Sequence, residues 1–281
     1  MTKGTLRRSV VAALACLGLP RAAVTQPSGW RPGVQLYTVR DLLGRDLPGT
    51  LRRVAEIGYR EVELFGPVTP VVRAMAENLR RYGLAAPAIH AGYEELRDMS
   101  DAVLADARAL GAGFVVCPSI DAELRRTPDD WKKVCRTLAA SGRRLHDRGV
   151  TLAYHNHDFE FAPFPDGTTP FGLMMAETDP RDLKLELDVY WVAKAGLDPV
   201  RLLGEHRGRV VLVHLKDIGT DGAAVELGAG RLDFPAIVRT ALAGGVKHLF
   251  VEQDDSADPL QSIATSLRFL QRLPADIRPL P

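Results

Sequence analysis

The sequence predicts a single (β/α)8 TIM barrel of the α/β class. Three observations predict it: short β-rich runs alternate with amphipathic runs of helical period, eight strand candidates can be counted, and glycine follows five of the helical runs. Strands joined by crossover helices pair in parallel, and eight of them close into a barrel of about 250 residues. The 281 residues, 46% of them hydrophobic, are enough to fill such a core.

Eight short segments are the strand candidates. Each is rich in β-branched or other apolar residues and is bounded by turn-forming residues. They are residues 33–39, 60–65, 85–90, 114–118, 150–157, 183–190, 210–216 and 248–253. The main alternative is an open, doubly wound sheet, which would carry a glycine-rich fingerprint after its first strand. Residues 37–41 contain no glycine, so the barrel is the preferred prediction.

Seven amphipathic segments are the helix candidates. They are residues 47–57, 70–82, 100–110, 128–147, 198–206, 234–243 and 259–273. Glycine commonly ends a helix because it adopts the left-handed backbone without steric cost. It stands just past five helical runs, at Gly58, Gly83, Gly111, Gly149 and Gly245. No stretch has the character of an interdomain linker, so residues 30–281 are predicted to form one catalytic domain.

Residues 1–25 are predicted to be a signal peptide. Basic residues precede an apolar run at 10–19, and small residues follow it, which is the order typical of a secretory signal. Ten apolar residues are too few to cross a bilayer, which takes about 20. The Arg7-Arg8 pair also resembles a twin-arginine signal. The alternatives are a disordered extension and, less favoured, a lipoprotein cut before Cys16. We therefore expect a periplasmic or otherwise exported protein.

The charge balance disfavours nucleic acid as a partner. The whole chain carries 36 basic and 35 acidic residues; removal of residues 1–23 would leave 32 basic and 35 acidic, a net charge of −3. Phosphate contacts need clustered lysine and arginine, which a slightly acidic surface does not offer. No later segment is apolar enough for a membrane span. Cys117 and Cys135 lack the spacing of a metal site and are assigned to core packing.

Imidazole and carboxylate groups gather at the ends of the last four predicted strands, where TIM barrels place their active sites. From strand five to strand eight they are His155, His157, Asp188, His214, Lys216 and Glu252. Period-two alternation turns His214 and Lys216 towards the barrel axis. Leu212 and Leu215 are assigned to the helix-facing layer. One inward histidine is more often a packed core residue, but four neighbouring strands with such groups are hard to explain by packing. One divalent metal ion is predicted (Mn²⁺, Zn²⁺, Mg²⁺ or Fe²⁺, which this mixed donor set does not distinguish).

Five short motifs stand at strand ends or in the loop after strand seven. They are Gly-Val-Gln-Leu-Tyr at 33–37, Tyr-His-Asn-His at 154–157, Leu-Asp-Val-Tyr-Trp at 187–191, His-Leu-Lys-Asp at 214–217 and Leu-Gly-Ala-Gly-Arg-Leu-Asp at 227–233. Together they resemble the sugar phosphate isomerase/epimerase group of xylose isomerase-like TIM barrels, over nearly the whole chain after residue 30. The resemblance implies a superfamily but no particular substrate. Its members include ketose epimerases, inosose isomerases and dehydratases, dehydroshikimate dehydratases and lyases acting on 3-keto-glycosides.

The resemblance also implies a metal site. Relatives typically bind one metal through a Glu, an Asp, a His and a Glu from strands five to eight. Asp188, His214 and Glu252 match the last three positions. Strand five departs from the pattern, because it has His155 where many members have glutamate and its nearest carboxylate is Glu160. The fourth ligand is therefore Glu160 or His155, and Glu160 is preferred because oxygen-rich ligand sets are the family's habit.

Abstraction of a proton next to a carbonyl creates an enediolate, whose charge a metal stabilises. Glu252 and Glu160 are the predicted acid/base pair; His157 is the alternative base, because tightly held metal-bound carboxylates are poor bases. Lys216 is predicted to neutralise the developing oxyanion, the alternative being a structural ion pair. Side chains that would contact substrate are Gln35, Glu63, His90, His155, Trp191 and Arg231. The alternative is packing at the barrel mouth, and for Arg231 it is a solvated position in the loop.

Three functions compete for this site. The first is a metal-dependent isomerase or epimerase that transfers a proton next to the carbonyl of a sugar or keto-sugar. The second is a lyase or dehydratase on a keto-inositol or 3-keto-glycoside, which export favours because extracytoplasmic sugars are often glycosides. The third is a relative of the apurinic endonucleases or a sugar-binding protein without activity. The acidic mature charge disfavours the endonuclease, and the matching metal positions disfavour the binding protein.

Overall fold

The computed structural model describes residues 1, 29–66, 71–98 and 101–280. Within these residues eight parallel strands close a barrel in which each strand pairs with its sequence neighbour and the last pairs with the first, which confirms the predicted (β/α)8 fold. The strands are β1 (Pro32–Gln35), β2 (Glu61–Leu64), β3 (Ala85–His90), β4 (Phe114–Cys117), β5 (Thr151–His155), β6 (Lys184–Asp188), β7 (Val210–Leu215) and β8 (His248–Val251).

Helices cover the outside of the barrel. They are α1 (Arg40–Arg45), α2 (Leu47–Ile57), α3 (Val72–Tyr82), α4 (Tyr93–Asp98), α5 (Asp101–Leu110), α6 (Pro128–His146), α7 (Pro170–Glu177), α8 (Val189–Lys194), α9 (Pro199–Glu205), α10 (Phe234–Gly244) and α11 (Pro259–Leu270). All seven predicted helices are present within a few residues of their expected bounds. Four further helices were not predicted from the sequence, α1, α4, α7 and α8, each of which has eight residues or fewer.

Two predicted strands end early because a polar side chain at the strand end binds the backbone that follows. The Gln35 side chain accepts a hydrogen bond from Tyr37 N–H, and Leu36–Val39 forms a 3-10 turn instead of a strand. Asp188 Oδ1 likewise accepts from the backbone N–H groups of Tyr190 and Trp191, which starts α8 immediately after β6. Such capping supplies partners for N–H groups at the first turn of a helix.

The glycines that end helices and the prolines that stand in their first turn follow elementary backbone preferences. All five glycines predicted to end helices have positive φ, from 68° at Gly83 to 122° at Gly58, a region that L side chains rarely adopt. Several long helices begin with a threonine or aspartate whose side chain caps the helix and with proline at the first or second position, as Thr127 does for α6 and Asp258 for α11. Proline fits there because its missing N–H has no helical partner in any case.

The barrel interior is filled by a small apolar layer below the polar mouth. Phe250 packs there against Leu212, Ala88 and Val116. Gly33 leaves room for this ring, since a Cβ at that position would lie 2.4 Å from Phe250 Cδ1. The assignment of Leu212 to the helix-facing layer was therefore wrong: it lies two residues before His214 and shares its inward side. Leu215 does belong to the outer core.

A two-stranded hairpin, Asp217–Ile218 with Ala224–Val225, follows β7. The fully buried Asp217 fixes the loop after the hairpin by accepting four backbone N–H groups, those of Ile218, Gly228, Gly230 and Leu232. Gly230 has no space for a side chain, because a Cβ would lie 2.3 Å from Asp217 Oδ1. Asp217 therefore caps the backbone of this loop.

The residue before the first strand contacts the C-terminal end of the described chain at the barrel face opposite the polar mouth. Trp30 Nε1 donates to Ile277 O and Leu280 N–H donates to Trp30 O, which ties the first strand to the chain's last described turn.

The predicted signal peptide, residues 1–25, lies outside the described residues apart from Met1. A search of the described helices finds none with the length and apolarity needed to cross a membrane.

Candidate metal and proton-transfer site

Polar side chains from seven of the eight strands, or from the residue just after a strand, converge at the C-terminal mouth of the barrel. Because inward positions alternate along each strand, these side chains point to the axis above the apolar layer. All are at most 8% exposed. They are Gln35 from β1, Glu63 from β2, His90 from β3, His155 from β5, Glu186 and Asp188 from β6, His214 and Lys216 from β7 and Glu252 from β8.

Four of these side chains form a compact group that we call the lower cluster: Glu63, His90, Glu186 and His214. His214 Nε2 lies 2.6 Å from Glu63 Oε2 and 3.2 Å from Glu186 Oε2. His90 Nε2 lies 3.4 Å and 3.3 Å from the same two oxygens. Gln35 Nε2 donates to Glu63 Oε2 at 2.9 Å and closes the group from the side of β1.

Lys216 organises a second group, the upper cluster, which comprises Lys216, Asp188, Glu252 and Asp254. Its Nζ lies 3.2 Å from Asp188 Oδ2, 2.8 Å from Glu252 Oε2 and 2.9 Å from Asp254 Oδ2. Nζ donates hydrogen bonds to both oxygens of Asp254 and forms ion pairs with Asp188 and Glu252. Burial alone would lower the pKa of Lys216, but Asp188 and Glu252 outweigh burial and raise it above the usual value. The lysine is therefore charged at neutral pH.

His155, Asp188 and His214 each offer a ligand atom within 4.8 Å of the others. Glu252 stands beside this trio, with Oε2 3.1 Å from His214 Nδ1. Asp188 Oδ2 is a buried atom without a hydrogen bond, as is His155 Nδ1. Unsatisfied buried donors and acceptors are rare in folded proteins. Both atoms do have an ionic neighbour, since Lys216 Nζ lies 3.2 Å from Asp188 Oδ2 and Glu186 Oε2 lies 3.2 Å from His155 Nδ1. A mixed set of imidazole and carboxylate atoms fits a divalent cation.

Glu160, the preferred fourth ligand, lies elsewhere. It is fully buried, but its Oε1 accepts a hydrogen bond from Tyr154 OH and its Oε2 accepts from His157 N–H. Tyr154 belongs to the outer core, on the opposite side of β5 from His155. The 3-10 turn Phe159–Phe161 after the strand carries Glu160 to that outer side. The structure thus puts His155, the other alternative, next to Asp188 and His214, and leaves Glu160 to hold the loop.

Electrostatics divide the imidazoles into two kinds. Burial lowers the pKa of His155 to about 3 and that of His157 to about 4, so both are neutral at pH 7 and keep a lone pair. Burial alone would lower the pKa of His90 as well, but Glu63 and Glu186 outweigh it and raise that pKa to about 9. The pKa of His214 is raised in the same way by the carboxylates around it.

An open cavity of about 310 Å³ lies above the clusters. His157, Trp191 and Tyr37 form part of its wall, and the rings of His157 and Trp191 lie 5.2 Å apart. Lys216, Glu252, His90 and His155 line its floor or side. The exposed Arg231 is not among the lining residues. A second cavity, of about 320 Å³, shares Tyr37, Phe65, His90 and Pro118 with the first.

Two residues of this site, Glu186 and Asp254, were not predicted from the sequence. Glu186 lies two residues before Asp188 on β6, so the alternation that turned Asp188 inward also predicts an inward Glu186. Asp254 lies two residues after Glu252 but beyond the end of β8, where period-two reasoning no longer applies; only its contact with Lys216 identifies it.

Comparison with known proteins supports a family assignment. The family model for xylose isomerase-like TIM barrels matches residues 51–273. An inosose dehydratase from Lactiplantibacillus plantarum is 29% identical over 168 residues, 52% of this chain and 55% of that protein. The chain thus spans about half the length of this curated relative.

Solved structures show the same fold. A sugar phosphate isomerase/epimerase from Parabacteroides distasonis superposes with a TM-score of 0.77 at 24% identity, over 92% of this chain and 99% of the other. The IOLI protein, solved with a bound zinc atom, superposes with a TM-score of 0.66 at 16% identity, over 86% of this chain and 97% of the other. The family model covers most of the chain, and the closed eight-stranded barrel agrees with it. The chain belongs to the xylose isomerase-like TIM barrel family.

Proposed function

We propose that the protein is a divalent-metal-dependent isomerase or epimerase that moves a proton next to the carbonyl of a sugar or keto-sugar. The observation that carries this proposal is the convergence of neutral imidazoles, buried carboxylates and one charged lysine from β5 to β8 below an open cavity. Such a site combines a cation, a base and a stabiliser of negative charge, which are the parts that enolisation needs.

The residues that would hold the ion are His155, Asp188 and His214, with Glu252 beside them. His155 suits this role because burial keeps the pKa of its imidazole low, so its lone pair is free. When bound, the ion would act as a Lewis acid on the carbonyl oxygen of the substrate. The donor set does not select among Mn²⁺, Zn²⁺, Mg²⁺ and Fe²⁺.

Glu252 and His157 are the groups placed to move the proton. Burial alone would raise the pKa of Glu252, but Lys216 and His214 outweigh it, so the carboxylate stays charged and accepts a proton only transiently. His157 is a neutral imidazole in the cavity wall and can hydrogen-bond a substrate hydroxyl or return a proton at the neighbouring carbon. Lys216 Nζ lies beside Glu252, where it would stabilise negative charge on the enediolate oxygen.

A lyase or dehydratase on a keto-inositol or 3-keto-glycoside is the second candidate. Both reactions begin with the same proton abstraction and differ in whether a proton is returned or a group leaves. The inosose dehydratase relatives favour elimination. The second cavity beside the first also offers room for a leaving group next to the sugar ring.

Isotope exchange separates these alternatives. Metal-loaded protein would be incubated in D2O with ketoses, inososes and 3-keto-glycosides and followed by NMR. Deuterium incorporation with appearance of an epimer supports the isomerase, and loss of water or release of an aglycone supports the lyase. Absence of exchange and of product with every substrate, despite bound metal, would contradict proton abstraction at this site.

Replacement of Glu252 by Gln tests the catalytic assignment. On a substrate that turns over, we expect Glu252→Gln to lower kcat by about 10²–10⁴-fold, the usual contribution of a positioned acid or base. Glu61→Gln is the matched control, because Glu61 also faces the barrel interior but pairs with His248 at the opposite end. Full activity of Glu252→Gln would exclude Glu252 as the proton-transfer group.

A further inference from the structure

The lower cluster holds two carboxylates and two imidazoles that the proposed chemistry leaves without a role, apart from His214. Glu63, Glu186 and His214 have no exposed surface, and His90 is 8% exposed. Glu63 Oε1 and Glu186 Oε1 are buried atoms without any hydrogen bond. Buried carboxylates are costly unless a cation or hydrogen-bond donors compensate them. The nearby Lys216 already forms ion pairs with the three carboxylates of the upper cluster.

The atoms around His90 Nε2 can be matched either by a proton or by a metal ion. Gln35 Oε1 accepts from Tyr37 N–H, which fixes Gln35 Nε2 as the donor that faces Glu63 Oε2 and His90 Nε2. A hydrogen on His90 Nε2 would point towards the Glu63 and Glu186 oxygens that raise the pKa of His90, but at distances longer than a good N–H···O bond. A lone pair there would instead face the two carboxylate oxygens at 3.3 and 3.4 Å. A cation between His90 and the two carboxylates would remove the repulsion between this lone pair and the oxygens, because each atom would then offer the cation a lone pair.

The spacing of the four ligand atoms resembles a tetrahedral metal site. Zinc–nitrogen and zinc–oxygen bonds of about 2.0–2.1 Å place tetrahedral ligand atoms about 3.3–3.4 Å apart. The distances from His90 Nε2 to Glu63 Oε2 and Glu186 Oε2 are 3.4 and 3.3 Å. His214 Nε2 lies 3.2 Å from Glu186 Oε2 and 2.6 Å from Glu63 Oε2. Of these four distances, the last is too short for two ligands of one ion, so that pair would have to separate.

We propose that the lower cluster is a second divalent-cation site, a structural zinc site in which Glu63, His90, Glu186 and His214 provide a closed shell of four protein ligands. Two nitrogen and two carboxylate oxygen ligands in tetrahedral spacing favour Zn²⁺. A closed shell leaves no position for substrate, so this ion ties together the ends of β2, β3, β6 and β7 below the mouth. With both ions bound, His214 would lose both ring protons to solvent and bridge the two sites as an imidazolate, with Nε2 towards the lower cluster and Nδ1 towards Glu252.

Metal counting tests the site without any substrate. Full-length protein would be stripped with a chelator, reloaded with Zn²⁺ and desalted, and the zinc-to-protein ratio measured by elemental analysis and native mass spectrometry. We expect two ions in the wild type and one in Glu63→Gln and in Glu186→Gln. Glu61→Gln, the same change two residues earlier on β2, should retain two, and Asp188→Asn should lose the mouth ion and retain the lower one.

The ion can also be located directly in the wild-type protein, so that the test does not depend on whether the variants fold. Anomalous diffraction at the zinc edge should give a peak among the four side chains of the lower cluster. A peak only at the mouth, or a zinc ratio that Glu63→Gln and Glu186→Gln leave unchanged, overturns the second site and leaves the proposed function intact. A single wild-type ion that Glu186→Gln abolishes and Asp188→Asn retains would support the lower site and contradict the proposed catalytic ion.

Discussion

At the residue scale, the polar mouth shows what alternation along a strand does and does not reveal. From the sequence alone, this alternation predicted that His214 and Lys216 face inward. Applied consistently, it would also have predicted an inward Glu186 and an interior Leu212. It could not place Glu160, because the residues after His155 leave the strand for a 3-10 turn and period two no longer holds there. The position of Glu160 depends on contacts with Tyr154 and the His157 backbone that no local pattern encodes.

The buried Glu160 gives the protein a pH-dependent stability. Burial raises the pKa of this carboxyl from 4.5 to about 7, so the folded state binds its proton more tightly than the unfolded chain. The contribution of Glu160 to the free energy of unfolding is therefore fully present below about pH 4.5. Roughly 3 kcal/mol of it is lost as the pH rises to about 7. Glu160→Gln, which has no charge to bury, should raise Tm at pH 8 and change it little at pH 4.5.

The exposed Glu177→Gln at the end of α7 is the control for that measurement. Thermal unfolding of both variants and of the wild type would be followed by circular dichroism at several pH values. An equal effect of Glu160→Gln at all pH values would contradict the buried, near-neutral titration. Loss of a bound ion in the same variant would instead restore Glu160 as a metal ligand.

At the element scale, helix and strand bounds followed from local chemistry wherever the signal lies in one residue and its immediate neighbours. Glycine stops and the Thr-Pro and Asp-Pro starts are of this kind, and the long helices were predicted almost to the residue. Four short helices were missed because six to eight residues carry little periodicity; α9, with seven residues, was predicted. The first two residues of α8 were included in the predicted strand 183–190, because their apolar side chains continue those of β6 and only the Asp188 cap separates the two elements.

The loop after β7 is stabilised by one carboxylate. Asp217 is buried and accepts from four backbone N–H groups, so its removal would leave those donors without partners. We expect Asp217→Ala to lower the free energy of unfolding by about 2–4 kcal/mol in urea titrations. Asp221→Ala, in the exposed hairpin turn where a single N–H is accepted, should cost much less. Equal losses for the two variants would show that the four hydrogen bonds contribute little.

At the scale of the whole molecule, the barrel was predictable because the same strand-then-helix pattern recurs along the chain and eight strands can be counted. An error in the bounds of one strand therefore does not change the predicted fold. The site was predictable in outline for the same reason, since four adjacent strands each deliver a polar group to one end. Substrate identity does not follow from this arrangement. It depends on the loops around the cavity, where Phe65, Pro118 and Tyr37 come from separate parts of the chain.

Export is a property of the whole chain that remains a proposal. Residues 1–30 fused to a reporter protein should deliver it to the periplasm of a bacterial host. If the Arg7-Arg8 pair is a twin-arginine signal, replacing both by lysine should retain the reporter in the cytoplasm, whereas a general secretory signal would tolerate the change. A reporter that stays in the cytoplasm with the unaltered residues would contradict export.

The cap that begins α8 also determines how Asp188 can bind an ion. Its Oδ1 is occupied by two amides of the following turn, and only Oδ2 faces Lys216 and the cavity floor. The carboxylate can therefore act only as a monodentate ligand. A chelating aspartate would use up two places around the cation, whereas this one uses a single place. A cation bound at the mouth would thereby keep positions at which water could exchange for the oxygens of a substrate.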